Sequence, residues 1–304
     1  MSVAPIDALA PAVGGCYRDG VVTVRRRGAG ARHRLGTART AHFDLGRDAA
    51  GDLVVEHSLT LDVVDDDLAG LLSDELFEPG WLRGSEMFER VFTGVVLTCA
   101  DEPEVAWEAF YANTLAAVGA HARAGARGPA AGPSGHGCVR DYAPVYAHAE
   151  SLVGAGSVLE LGSCFGFLAL RLAASGRTVT ASDVSAGTMR LLSAMAPRFG
   201  VDVGVLTCDA AHVPEPDRSA DTVLAVHLLE HLEPDHAGRV VAEARRLAAR
   251  RVVVAVPLED VPSEQFGHLW AVTLGTLRGW GEEAVGWRAE VHEHHGGWLV
   301  LDRL

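Results

Sequence analysis

The chain contains no lysine: all 26 of its basic residues are arginine, against 40 aspartates and glutamates. With Ala, Gly, Val and Arg dominant, the missing lysine reads as a GC-rich genome signature rather than a functional one. The formal net charge of −14 excludes a general nucleic-acid partner, because a phosphate backbone is held by a basic surface. A local exception is Arg18, Arg25, Arg26, Arg27, Arg32, Arg34 and Arg39, which read as a solvated strand face, with a docking patch for an anionic partner as the alternative. Long hydrophobic runs are missing too. No stretch approaches the ~18 consecutive apolar residues of a membrane span, and no basic segment precedes an apolar core at the start. A soluble, cytoplasmic protein with no membrane partner is expected. Cysteine is scarce. Cys16, Cys99, Cys138, Cys164 and Cys208 are odd in number and form no C-x-x-C pair, which fits reduced thiols better than disulfides or a zinc site.

What is present is organised around residues 157–183, SVLELGSCFGFLALRLAASGRTVTASD. Residues 157–161 read as a short apolar strand with Glu160 near its end. Gly162 and Gly166 flank a turn, 165–174 carry apolar residues at helical spacing, Gly176 stops that helix, and 178–181 are a second β-rich run. Glycines let a backbone turn sharply and approach a ligand, and a helix N-terminus points free N–H groups into the same crevice. Asp183 follows Glu160 by 23 residues, where a βαβ unit places the acid that binds ribose hydroxyls.

The 304 residues allow one large domain, or a catalytic domain with a smaller partner. Residues 18–64 read as β-rich, with a strand at 20–27 and a hairpin of 39–45 and 53–64 around GRDAAGD; a short helix at 65–72 and helices at 85–99 and 103–124 follow. Residues 1–124 are thus an N-terminal α+β extension, expected to cap or present a substrate or to make a homodimer contact. The Gly/Pro-rich 125–137 read as a linker, and 138–304 as the catalytic domain. Within it come a helix at 142–153, then strands at 201–207, 220–226 and 251–257 alternating with helices at 185–197 and 235–249. Continuous apolar strands between helices mean an α/β domain with a parallel sheet covered on both faces. Residues 287–294 and 298–301 read as a terminal antiparallel hairpin.

The turn does not fit the dinucleotide pattern G-x-G-x-x-G, since Cys164 and Phe167 stand where glycines would be needed. It fits acid-x-Gly-x-Gly-x-Gly, with Glu160, Gly162 and Gly166 in place and Cys164 replacing the middle glycine. This resembles the first motif of class I S-adenosyl-L-methionine (SAM)-dependent methyltransferases, and the resemblance runs through Asp183, Asp209, LEHL (Leu229 to Leu232) and the terminal hairpin, covering about residues 141–304. It implies a seven-stranded Rossmann-like fold with SAM as cofactor. Glu160 would hold the cofactor's amino group, Asp183 its ribose hydroxyls, and Asp209 with Ala210 the adenine edge. Ser163, Cys164 and Val184 would line the same cleft, His227 its methionine end, and Tyr142 and Tyr146 could lean over it from the preceding helix.

For the acceptor, the resemblance points to the loop after the fifth strand, PLEDVPSEQFGHLW, which in this fold borders the transferable methyl. An alcohol acceptor needs a base near neutral pH, and histidine suits that best. His268 is the first candidate and His231 the second, supported by Glu259 or Glu230. His227 to His231 also spell H-x-x-E-H, an inverted zinc-protease motif. That motif needs both histidines on one helix, and His227 follows a strand; with no partner ligands evident, no metal is expected there. His292, His294 and His295 read as turn or pocket-rim residues. GSCFGF after the helix YAPVYAHAESLV, with the α+β extension, is similar to actinobacterial mycofactocin-associated glycan methyltransferases, implying O-methylation of a glucose hydroxyl on an oligosaccharide. Another small-molecule acceptor, a NAD-linked oxidoreductase, or a module that binds SAM without turnover are the competing readings.

Overall fold

The computed structural model describes residues 6–28, 38–124, 138–263 and 266–304. They fall into two compact units, Met1–Tyr142 and Ala143–Leu304. Arg32, Arg34 and the linker expected over 125–137 lie outside the described residues.

The first unit is built on strands β1 (Cys16–Arg18), β2 (Val22–Arg26), β3 (Ala38–Arg39), β4 (Phe43–Arg47) and β5 (Leu53–His57), in sheet order β1-β2-β5-β4-β3. The expected hairpin is β4–β5, and Asp48 organises its turn by accepting from the N–H groups of Ala50 and Asp52 at 2.8 and 3.0 Å. One feature departs from expectation: β5 stops at His57 rather than running to 64. β2 pairs with β5 in parallel. Helices α1 (Leu68–Leu72), α2 (Ser85–Leu97) and α3 (Pro103–Ala124) follow. α2 lies directly against the sheet, where a Cβ on Gly94 would come within 2.6 Å of Val24 and 2.7 Å of Tyr17. Its Arg90 is buried and reaches Asp19 at 2.6 Å and Glu86 at 2.7 Å. Of the N-terminal arginines, Arg25 pairs with Glu56 at 2.5 Å and Arg27 with Asp44 at 2.5 Å, with Arg39 at 3.6 Å from the same carboxylate. These pairs give three of the cluster a place within the sheet itself.

Helix α4 (Cys138–Leu152) leads into the second unit. There β6 (Ser157–Leu161), α5 (Phe167–Ala174), β7 (Thr178–Asp183), α6 (Ala186–Met195), β8 (Val203–Thr207), β9 (Ala220–Val226), α7 (Pro234–Leu247), β10 (Ala248–Val256), α8 (Leu274–Glu282), β11 (Trp287–Glu293) and β12 (Gly297–Arg303) follow in order. The sheet order is β11-β12-β10-β9-β6-β7-β8; β12 runs antiparallel to β10 and β11, and the remaining pairs are parallel. The unit therefore has the seven-stranded Rossmann-like architecture expected of it. The chain leaves β6 for β7 and β8 on one side and returns to β9 and β10 on the other. This reversal opens a crevice at the carboxyl ends of β6 and β9, the place where open α/β sheets bind ligands.

The physical reason for the sheet is legible in burial. Val223 to Val226 of β9 and Val252 to Val256 of β10 are buried throughout, so both faces need covering by helices. α7 supplies one cover with Ala237, Val240, Val241, Ala244 and Leu247 on one side. α8 has no counterpart in the sequence reading; Gly275, Gly279 and Gly281 weaken its helical signal, but Thr273 caps it and Leu277 anchors it in the core.

Candidate active site

Parallel strands bring their last residues to one rim, so Glu160 on β6, Asp183 on β7 and Asp209 just beyond β8 come from three neighbouring strands. The turn after β6 is tight. Gly162 has φ +68° and Gly166 φ +74°, and a Cβ on either would come within 2.5 Å of Leu228 or Leu192 respectively. Between them Cys164 holds φ +49°, a left-handed conformation that costs a non-glycine residue. The position where the motif carries its middle glycine is thus one where glycine is the easier residue, and Cys164 occupies it with an exposed thiol.

Asp183 ties this turn to the next one. Its Oδ2 accepts from the N–H of Cys164 at 3.0 Å and its Oδ1 from the N–H of Ser185 at 2.8 Å. The Ser163 N–H adds a bond to the Ser182 carbonyl at 2.9 Å. Val184 follows as an apolar side chain left 78% exposed beside the acid. Asp209 is partly committed: Oδ1 accepts from the Ala211 N–H at 2.9 Å and from His236 Nε2 at 2.8 Å, and these bonds hold its carboxyl below the usual range against a smaller effect of burial. His236, on α7, was invisible to sequence reasoning because it lies 27 residues away on another element. Ala210 is half-buried against the core.

Glu160 differs from the other two acids. It is 5% exposed, and its Oε2 has no hydrogen-bond partner among the described residues. Burial, with the Asp183 charge adding to it against a backbone hydrogen bond from Ala169, pushes its carboxyl from the ordinary 4.5 up to about 8. A buried carboxyl with one oxygen left without a donor suits an incoming ammonium group, so the residues fit a cofactor that carries one.

The linkage sign follows. The folded protein holds a proton on Glu160 up to about pH 8, while the unfolded chain loses it near 4.5, so this group stabilises fully below 4.5 and loses that contribution as pH rises through 8. Buried histidines act oppositely, but their unfolded forms have finished titrating above about 6.5. Thermal melts of cofactor-free protein should therefore fall between about pH 6.5 and 8, and Glu160→Gln should flatten part of that slope. A wild-type slope unchanged in the variant would count against the assignment.

The second constellation lies past β9 and β10. His227 turns the chain with φ +52° and donates its N–H to the Ala255 carbonyl at 2.9 Å; a short 3₁₀ turn, Leu229–His231, follows. His227 and His231 therefore do not lie one turn apart on a helix, as the zinc-protease pattern requires. The loop after β10 folds back over this turn: the Leu269 N–H donates to the Glu230 carbonyl at 2.8 Å and Trp270 Nε1 to the Leu229 carbonyl at 3.1 Å. His268 thereby meets His231, with ring centres 4.8 Å apart at 83°. Glu259 accepts from His268 Nδ1 at 2.7 Å and from Ser263 Oγ at 2.8 Å. Burial raises the Glu259 carboxyl, but these bonds outweigh it and hold it below its ordinary range. The three residues read from the sequence as catalytic, His268, His231 and Glu259, are thus brought together. Ser263 was missed, since a lone serine carries no pattern. His292, by contrast, sits on β11 with Nε2 at 2.8 Å from His148 Nε2, and the His294 ring lies tilted against that of His148 with centres 4.3 Å apart.

Residues 158–250 match the methyltransferase domain family. Together with the strand order, the match supports a class I, SAM-dependent methyltransferase domain in the second unit. No curated protein matches the chain. Among solved structures it is similar to magnesium protoporphyrin IX methyltransferase from Synechocystis with bound S-adenosylhomocysteine, at 19% identity over 54% of this chain and 81% of that one, with a TM-score of 0.43. A SAM-dependent methyltransferase from Aquifex aeolicus has 18% identity over 51% and 85%, TM-score 0.42. One from Methanosarcina mazei has 15% identity over 52% and 97%, TM-score 0.44. No helix of the described residues is long and apolar enough to cross a membrane.

Proposed function

We propose that the chain is a SAM-dependent O-methyltransferase whose acceptor is a sugar hydroxyl. The observation that carries the O-transfer reading is the Glu259–His268 pair in the methyltransferase domain. Glu259 fixes His268 Nδ1 as the donor, which leaves the Nε2 lone pair to receive a hydroxyl proton. Bound SAM supplies a methyl group already activated by its sulfonium, so the protein's task is alignment and removal of the acceptor's proton. Glu160 receives the cofactor's ammonium, Asp183 the ribose hydroxyls through the lone pairs its backbone contacts leave over, and Asp209 with Ala210 the adenine edge. Ser163, Cys164 and Val184 line the cleft and His227 its methionine end.

The sugar acceptor is supported by the resemblance of GSCFGF, its preceding helix and the extension to the mycofactocin-associated glycan methyltransferases. It makes an oligosaccharide glucose hydroxyl the first acceptor to try. The test is label transfer from methyl-labelled SAM into a fractionated small-molecule extract of a GC-rich actinobacterium. Label is expected in a glycosidase-sensitive fraction. Label confined to glycosidase-resistant molecules would discard the sugar and keep the enzyme; no label with any fraction, despite measured S-adenosylhomocysteine binding, would leave a module that binds without turnover.

A further inference from the structure

We propose that Glu230, His231 and His268 form a binding site for one divalent transition-metal ion of the zinc and manganese type. The three residues each offer a ligand atom, and these atoms lie within 4.8 Å of one another. Glu230 and His231 come from the 3₁₀ turn after β9, and His268 from the loop after β10. No pattern within either segment predicts the meeting, which is why the sequence reading expected no metal.

Three observations point to a cation rather than to a neutral cluster. First, the Glu230 side chain is 1% exposed, and neither of its oxygens has a hydrogen-bond partner among the described residues; His227 Nδ1 stands off at 3.5 Å. Such a carboxyl is costly to bury unless it is protonated or faces a positive charge. Secondly, both imidazoles are held from behind. His268 uses Nδ1 for Glu259 at 2.7 Å, and His231 is hydrogen-bonded to the backbone of Gly267. Metal-bound histidines are held in this way, the second ring nitrogen tied to a carboxylate or a backbone carbonyl so that the first presents its lone pair. Thirdly, two neutral imidazoles with one carboxylate suit zinc, manganese, iron or cobalt, whereas magnesium prefers an all-oxygen shell. Three protein ligands leave positions open for oxygens of a bound molecule.

The role assigned to the ion rests on the methyltransferase reading; its binding does not. An acceptor hydroxyl coordinated to the ion has its pKa lowered, so its O–H bond breaks and the proton passes to solvent water. The oxygen then forms the C–O bond to the methyl group as the C–S pair stays on sulfur, giving the methyl ether and S-adenosylhomocysteine. The ion would take His268's free ring nitrogen as a ligand, so the hydroxyl would be activated by the ion in the metal-bound protein and by His268 in the metal-free protein.

The experiment is calorimetric titration of chelator-treated, dialysed full-length protein with zinc chloride, manganese chloride and magnesium chloride, alongside cobalt(II) absorption spectra. One zinc or manganese ion per chain is expected, with magnesium much weaker and a cobalt d–d band characteristic of nitrogen and oxygen ligands. Glu230→Gln and His231→Ala should each weaken binding at least about 10-fold. Asp183→Ala should leave metal affinity unchanged while S-adenosylhomocysteine binding falls, which separates the ion's site from the cofactor's. Absence of binding in the wild type, or binding that survives both substitutions because the ion sits on the His148–His292–His294 cluster, overturns the proposal. Using two substitutions guards against either one failing to fold, and circular dichroism checks both.

Discussion

Asp183→Ala is expected to weaken SAM and S-adenosylhomocysteine binding by about 100-fold and to abolish turnover at ordinary cofactor concentration. The magnitude comes from two sources. A carboxylate accepting from ribose hydroxyls contributes about 1.5–3 kcal/mol per bond, and each ~1.4 kcal/mol is tenfold in affinity. The same carboxylate also accepts from the Cys164 and Ser185 N–H groups, so its removal releases the glycine turn and the start of α6 together. Asp183→Asn separates the two contributions, because the amide retains one acceptor oxygen and loses the charge. Calorimetry on the wild type and both variants is the check. If Asp183→Ala bound S-adenosylhomocysteine within threefold of wild type, the ribose assignment would be lost.

His268→Ala should lower turnover by about 100-fold or more while leaving cofactor affinity within a factor of two or three. The loss is expected whether the imidazole takes the proton itself or holds an ion that does the activation. Glu230→Gln distinguishes the two. Glu230 does not touch His268 through any hydrogen bond, so a simple base would survive its neutralisation, and an ion site would not. Glu259→Gln is expected to give an intermediate loss, since it leaves the His268 ring in place but removes the charge that orients it. Saturating-SAM kinetics with a defined acceptor would read all three. Unchanged turnover in His268→Ala would hand the role to His231 or to solvent.

Much of the cofactor side was legible because it is local. Strand, glycine turn, helix and strand lie within 27 contiguous residues, 157–183, and the apolar runs of β9 and β10 could only be buried strands. The acceptor side depends on contacts that no window contains. His231 and His268 lie 37 positions apart, with helix α7, strand β10 and a loop between them, and their approach is set by the Leu269 N–H and the Trp270 indole bonding to the turn after β9. The H-x-x-E-H string is a metal motif only on a helix, so the strand that precedes it conceals the proposed ligand set that its second half joins. His236 on Asp209 was hidden for the same reason. In the first unit, β2 pairs in parallel with β5 across the intervening β3 and β4, and nothing in either strand's composition points to that partner.

The terminal hairpin limits how this chain can assemble. β11 is an outer strand of its sheet, and Arg288, Ala289 and Glu290 lie exposed along it, with Arg288 held to Asp302 at 2.9 Å. A flat, apolar rim would invite a second copy to extend the sheet by strand addition. A rim studded with alternating charge discourages it, because the newcomer would have to strip water from each charge in turn. Copies of this protein that associate are therefore not expected to do so by adding a strand along β11.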